Sequence, residues 1–347
     1  MRGIVAPVVE APRALGERRA FAGVQPQAPP RPVTRTAAAL RSQEGSVGAR
    51  SSGLLGGLSA ALGVRAALRR RSRPWGTSRR ADEGTKAILV KSPKDTYEAM
   101  VDKGVNNSEM SVLKIFHASV MGGCYVGLAG LLSLAVAGNL ASGASMSAVK
   151  FTFAALFPVN LLLVLQSGGQ LFTGNSATMA MAYFEGRIGV QKVLKSWVTS
   201  YIGNVIGCMT IALVANYTHL LVAGTQELAI ATVLKKCGAG FGPTLVKAIM
   251  CNWLVCMAVF LCTQANDLTG KMVGIWFPIS MFVAIGFEHS VANMFLLPAG
   301  FFSGAPLTPL QMICRNLIPV SIGNAIAGAI VVGAGFSFSQ GKLGKGL

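Results

Sequence analysis

The sequence predicts an all-α membrane protein: six transmembrane helices forming two three-helix repeats of opposite orientation. Three observations predict it. Of 347 residues, 52% are hydrophobic and 13% charged, with mean hydropathy +0.53, whereas ordinary globular domains carry about 25% charged residues. Six apolar stretches each reach the ~20 residues that a helix needs to cross a bilayer. The first three of these stretches share a residue pattern with the last three.

The N-terminal region stands apart. Residues 1–86 hold 16 Lys and Arg against 5 Asp and Glu, more than half of the net charge of +18. Residues 1–85 are read as an organelle transit peptide or disordered basic tail, being Arg-rich, acid-poor and without a span-length apolar run. Prolines at 26, 29, 30 and 32 argue against one continuous amphipathic helix, which favours a plastid address over a mitochondrial one. Segregation of the charge removes the main argument for nucleic-acid binding. Seven cysteines lie almost entirely in apolar runs with no metal-ligand spacing, so no metal or cofactor is expected.

Residues 86–347 form the transmembrane domain. The spans fall at about 112–137, 151–183, 196–222, 244–264, 272–301 and 312–338. The second and fifth are too long and too interrupted to be single straight helices. Both open on Phe-Pro, at Phe157 and Phe277, and both break at a glycine about ten residues later. The stretch from Gly168 to Asn175 matches that from Gly286 to Asn293 as G-x-[Q/E]-x-x-x-small-N, with Gln170 opposite Glu288. The third and sixth match as Ile202-Gly203-Asn204 and Ile322-Gly323-Asn324. Repeat one covers about 111–222 and repeat two about 244–338. Three crossings is an odd number, so the second copy lies upside down. Inverted repeats with a broken helix in each half mark a substrate path near the bilayer midplane.

The breaks carry the chemistry. Polar groups in hydrocarbon are costly and persist where they face a cavity or a partner. Among three histidines, His289 alone falls in a break, and its ordinary pKa near 6.5 lets small environmental shifts change its charge. Thr173 lies in the opposite break. Glu288 is expected to turn away from the path and to bind free N–H groups of a broken helix end, with Gln170, Asn175 and Asn293 as further support. Phe157, Leu161 and Phe282 are read as a constriction on one side of the polar centre, and Leu171, Phe172 and Val255 as one on the other. Lys236, with its neighbour Lys235, would draw anions to the mouth.

The motifs LFTGN, GFEHSVANM and NLIPVSIGN, within residues 95–338, resemble the formate/nitrite transporter family. The resemblance implies an aquaporin-like protomer, a homopentamer in the lipid bilayer, and one pore per protomer for small monovalent anions of weak acids. It also implies that Thr173 and His289 are the central pair, that Asn252 and Asn324 are polar pore residues, and that Lys236 is the vestibule lysine. Gln170 departs from members that carry an acid there.

The function expected is a channel or transporter for nitrite, formate or bicarbonate, linked to protons, in an organelle envelope. The alternative is a plastid bicarbonate channel without proton coupling. A bare anion in a dry apolar constriction costs tens of kcal/mol, whereas protonating a carboxylic acid of pKa about 3.9 at pH 7 costs roughly 4 kcal/mol. The neutral acid is therefore the cheaper form to move. Enzyme chemistry is not expected, because Glu288, His289 and Ser290 are consecutive and cannot all face one substrate.

Overall fold

The computed structural model describes residues 89–345; the N-terminal basic segment lies outside them. Eleven helices follow one another. A surface helix α1 (Pro93–Glu109) precedes the first span, α2 (Val112–Leu140). The second span runs from Met146 to Ser167 as α3 (Met146–Leu156) and α4 (Val159–Ser167), which meet at Pro158, and resumes after a break as the half-helix α5 (Phe172–Phe184). The third span is α6 (Val190–Tyr217), and α7 (Ala223–Cys237) bridges to the fourth, α8 (Phe241–Gln264). The fifth comprises α9 (Leu268–Ile285) and the half-helix α10 (Ser290–Phe302), and the sixth is α11 (Pro309–Gln340), with π-helical turns at Ile313–Leu317 and Ala327–Ala334.

Six of these helices are long and apolar enough to cross a membrane. Three crossings separate α1 from α7, which places the two on opposite faces. Two differences from expectation concern those surface helices. The third span stops at Tyr217, where Thr218 caps it and His219 turns to positive φ, so residues 223–237 form a separate helix. Helix α1 was not expected at all; Ser92 caps it, Pro93 starts it, and Tyr97, Met100, Val101 and Gly104 form its buried stripe.

Packing follows the repeat. Helix α2 lies along α6, and α8 lies along α11. Glycine permits both approaches: a Cβ at Gly203 would fall 2.6 Å from Ser119 Cβ, and one at Gly323 would fall 2.6 Å from the Leu245 carbonyl oxygen. Each half-helix then crosses to the other repeat, α5 against α11 and α10 against α6. That exchange sets the start of α5 beside the start of α10.

Candidate functional site

Both breaks use one backbone design. Gly168 (φ 82°) and Gly286 (φ 92°) end their helices in the left-handed region that glycine adopts at no steric cost. The next amides fold back, Gly169 N–H to the Val164 carbonyl at 2.9 Å and Phe287 N–H to the Phe282 carbonyl at 3.0 Å. Then Gln170 N–H donates to the Ala118 carbonyl of α2 (3.0 Å), and Glu288 N–H donates to the Lys247 carbonyl of α8 (3.4 Å). Leu171 and His289 are extended, and the half-helices begin.

An asparagine from the third span of each repeat clamps the break. Asn204 Oδ1 accepts Phe172 N–H (2.9 Å), and its amide donates to the Ser119 and Gln170 carbonyls (2.7 and 2.9 Å). Asn324 Oδ1 accepts Ser290 N–H (2.8 Å), and its amide donates to the Ala248 and Glu288 carbonyls (2.8 and 3.1 Å). Irregular backbone inside a membrane protein needs such replacement partners. Asn324, expected as a pore residue, is buried and makes these three hydrogen bonds to backbone groups. Asn252 is likewise buried, its amide donating to the Thr173 and Asn324 carbonyls and to Ser176 Oγ.

At the junction, His289 Nε2 lies 3.1 Å from Thr173 Oγ1. His289 Nδ1 accepts Ala292 N–H at 3.1 Å, capping α10. With Nδ1 engaged as an acceptor, the proton of the neutral ring sits on Nε2 and is donated to Thr173 Oγ1, which leaves the threonine hydroxyl proton to point elsewhere. Two helix N-termini, the positive ends of their dipoles, converge here. The site is therefore rich in fixed donors while formally neutral.

Above it, Phe157 and Phe282 meet edge to face with ring centroids 6.5 Å apart, and Phe282 lies 5.7 Å from the His289 ring. Both phenylalanines are nearly fully buried. They line a cavity of about 310 Å³ on the α7 side that reaches His289 and is also lined by Lys150, Lys235, Lys236, Lys247 and Glu288. On the α1 face, Leu161 and Leu171 line a much smaller cavity of about 20 Å³ together with Val259, Gln170 and Lys103. Leu161 thus joins Leu171 rather than the Phe157 side. Phe172 packs its ring against Trp197 and Tyr201 of α6, and Val255 lies in the core and lines neither cavity.

Glu288 does not bind helix-end amides as expected. Its Oε2 accepts from Lys236 Nζ (3.0 Å), Asn293 (2.8 Å) and Asn316 (3.3 Å), and the ion pair is mostly buried, with the side chains 15% and 8% exposed. The Asn204 and Asn324 side chains do the work assigned to Glu288. Lys236 is correspondingly not a free cation. At the equivalent position Gln170 bonds Asn107 and Asn175, and Asn175 also reaches Ser196.

Lys103 reads in the sequence as an ordinary basic residue ahead of the first span; its place on α1 brings it to the small cavity. It has no carboxylate within ion-pairing distance among the described residues, and burial lowers its ammonium below the usual lysine range. The signal was present in Ser92-Pro93 followed by apolar residues at helical spacing.

Residues 94–338 match the family model for formate/nitrite transporters. The "Probable formate transporter" of Methanothermobacter thermautotrophicus is 39% identical over 259 residues, spanning 70% of this chain and 94% of its own length. A formate channel of Bacillus thuringiensis is 38% identical over 242 residues, spanning 70% and 92%. Among solved structures, a channel of the same family superposes with TM-score 0.66 at 27% identity, covering 71% of this chain and 98% of its own. A pentameric formate channel with formate bound superposes with TM-score 0.59 at 27% identity, covering 67% and 98%. The relatives are transporters and channels, and this multi-pass membrane protein belongs to the formate/nitrite transporter family.

Proposed function

We propose that the protein conducts small monovalent anions of weak acids, formate first among them, between the α7-face cavity and the α1-face cavity. The observation that carries this reading is the His289 Nε2–Thr173 Oγ1 contact of 3.1 Å at the meeting point of two half-helix N-termini, beside the Phe157–Phe282 pair. The relatives named for formate support the choice of ion.

Each residue then has a task. Lys235, beside the Lys236–Glu288 ion pair, brings anions to the vestibule. Phe157 and Phe282 exclude water, so that the anion crosses as its neutral acid; this route costs roughly 4 kcal/mol at pH 7 against tens for the bare ion. Thr173, oriented by His289, donates its hydroxyl proton in a hydrogen bond to the carbonyl oxygen of the acid. Lys103 plays the attracting part on the α1 face. Transport on this scheme moves one proton with each anion. Nitrite and bicarbonate are also small anions of weak acids and fit the same requirements. The homopentamer, by analogy with the pentameric neighbour, and a plastid address for residues 1–85 complete the proposal.

The test is flux in proteoliposomes with formate, nitrite and bicarbonate side by side, with and without a pH gradient. Formate influx should be accelerated by an inward proton gradient, and His289→Ala should lose at least about tenfold, the loss of about one hydrogen bond. A His289→Ala protein with full, equally pH-dependent uptake would overturn the reading.

A further inference from the structure

The α7-face vestibule carries more charge than a monovalent anion requires. Four lysines on three elements line the cavity of about 310 Å³: Lys150 on α3, Lys235 and Lys236 on α7, and Lys247 on α8. Glu288 is the one carboxylate among the lining residues, and Lys236 already pairs with it at 3.0 Å. Three ammonium groups are therefore left without a carboxylate, since no other described acid lies within ion-pairing distance of them. Lys235 Nζ is turned inward, within 3.9 Å of where a Cβ on Gly286 would sit, so its charge lies over the break itself. The α1-face cavity offers a contrast, with about 20 Å³ and Lys103 as its one lysine.

We propose that this vestibule is a binding site for a free multivalent anion of the phosphate class, which plugs the α7-face entrance and so reduces anion flux. The inference rests on the transport reading above and adds an inhibitory ligand to it. Charge-assisted hydrogen bonds from several ammonium groups to one phosphate are mutually reinforcing in a cleft walled by apolar surface. The floor of the cleft prevents passage. A monocarboxylate becomes neutral with one proton, whereas a phosphate dianion needs two. Desolvation of a doubly charged ion between Phe157 and Phe282 is far costlier than that of a single charge. A ligand that binds well and cannot proceed is a plug.

Formate flux into vesicles of neutral phosphatidylcholine tests this, with inorganic phosphate or pyrophosphate added outside, inside or on both sides, against sodium chloride at matched ionic strength. Binding of pyrophosphate to the protein in neutral nanodiscs, followed by calorimetry, gives a readout independent of flux. Pyrophosphate on the α7 face should inhibit more than matched chloride, and pyrophosphate confined to the α1 face should not. The Lys150→Gln/Lys247→Gln variant, normalised to its own uninhibited flux, should raise the half-inhibitory concentration at least about tenfold, the equivalent of losing about one charged hydrogen bond. Inhibition equal to that by chloride, with no calorimetric binding, would overturn the proposal. So would inhibition that needs anionic lipid in the vesicle and no free phosphate. Absence of formate flux altogether would instead overturn the transport reading, and calorimetric binding would still decide the phosphate site.

Discussion

At Gly168–Leu171 the residue after the paired glycines is Gln170, whose carboxamide bonds neutral partners, Asn107 and Asn175. At Gly286–His289 the same position holds Glu288, bonded to Asn293 and Asn316 and ion-paired with Lys236. The backbones of the two breaks correspond bond for bond, and their asparagine clamps make the same three contacts. The comparison separates what a broken membrane helix needs from what a particular mouth needs. A left-handed glycine and a clamping amide build the break. The carboxylate–lysine ion pair belongs to the half that faces the wide vestibule.

Substituting the clamps breaks the comparison most severely. Asn324→Leu strands one buried N–H and two carbonyl groups, each costing about 1–3 kcal/mol. Thermal unfolding in detergent should show a loss of several kcal/mol, and Asn204→Leu should match it. A large inequality between the two would mean that the breaks are not equivalent. Next in size is Glu288→Gln, which leaves the Lys236 ammonium buried without its partner and should destabilise by about 3–5 kcal/mol. Adding Lys236→Met should recover most of that loss, a coupling readable by a double-mutant cycle. No recovery would show that Glu288 acts through its amide partners alone.

A smaller effect is expected at the glycines. Gly168→Ala and Gly286→Ala each force an ordinary residue into the left-handed region, costing about 1–2 kcal/mol, and equal losses would sharpen the parallel between the halves.

The smallest effect concerns the α1 face. Burial pushes the Glu185 carboxyl up, but hydrogen bonds from Tyr97, the Lys342 amide and Ser337 outweigh it and hold the group below the usual carboxylate range. The same docking raises Tyr97, through burial and then through its bond to Glu185. A lowered carboxyl contributes stability above its ordinary pKa and loses it as acid protonates the folded form. Hydrogen-exchange protection factors in α1 should therefore fall on acidification, and Tyr97→Phe should lower them already at neutral pH. Exchange that is indifferent to both would remove Glu185 from the α1 attachment.

Much of this was legible in the residues. Span number, the duplication, the two break positions and the pairing of Asn204 with Asn324 follow from hydropathy and from a pattern repeated at a fixed offset, because the inverted fold forces equivalent residues into equivalent duties. The direction of those duties was not legible. Glu288 and Asn324 exchanged expected tasks, since a one-dimensional pattern shows that polar groups meet in a break but not which donor reaches which acceptor. Helix α1 is hard to read because its buried stripe is short and interleaved with charge, so Lys103 passes for an ordinary charge ahead of the first span.

The proposed function makes the Thr173 hydroxyl, oriented by His289, the donor that receives the permeating acid beside the Phe157–Phe282 pair. Formate flux in proteoliposomes bearing Thr173→Val tests it most directly, because valine keeps the shape and removes only the hydroxyl. The account predicts at least about a tenfold loss of flux with thermal stability retained, and recovery in Thr173→Ser. Full flux through the valine variant would contradict it.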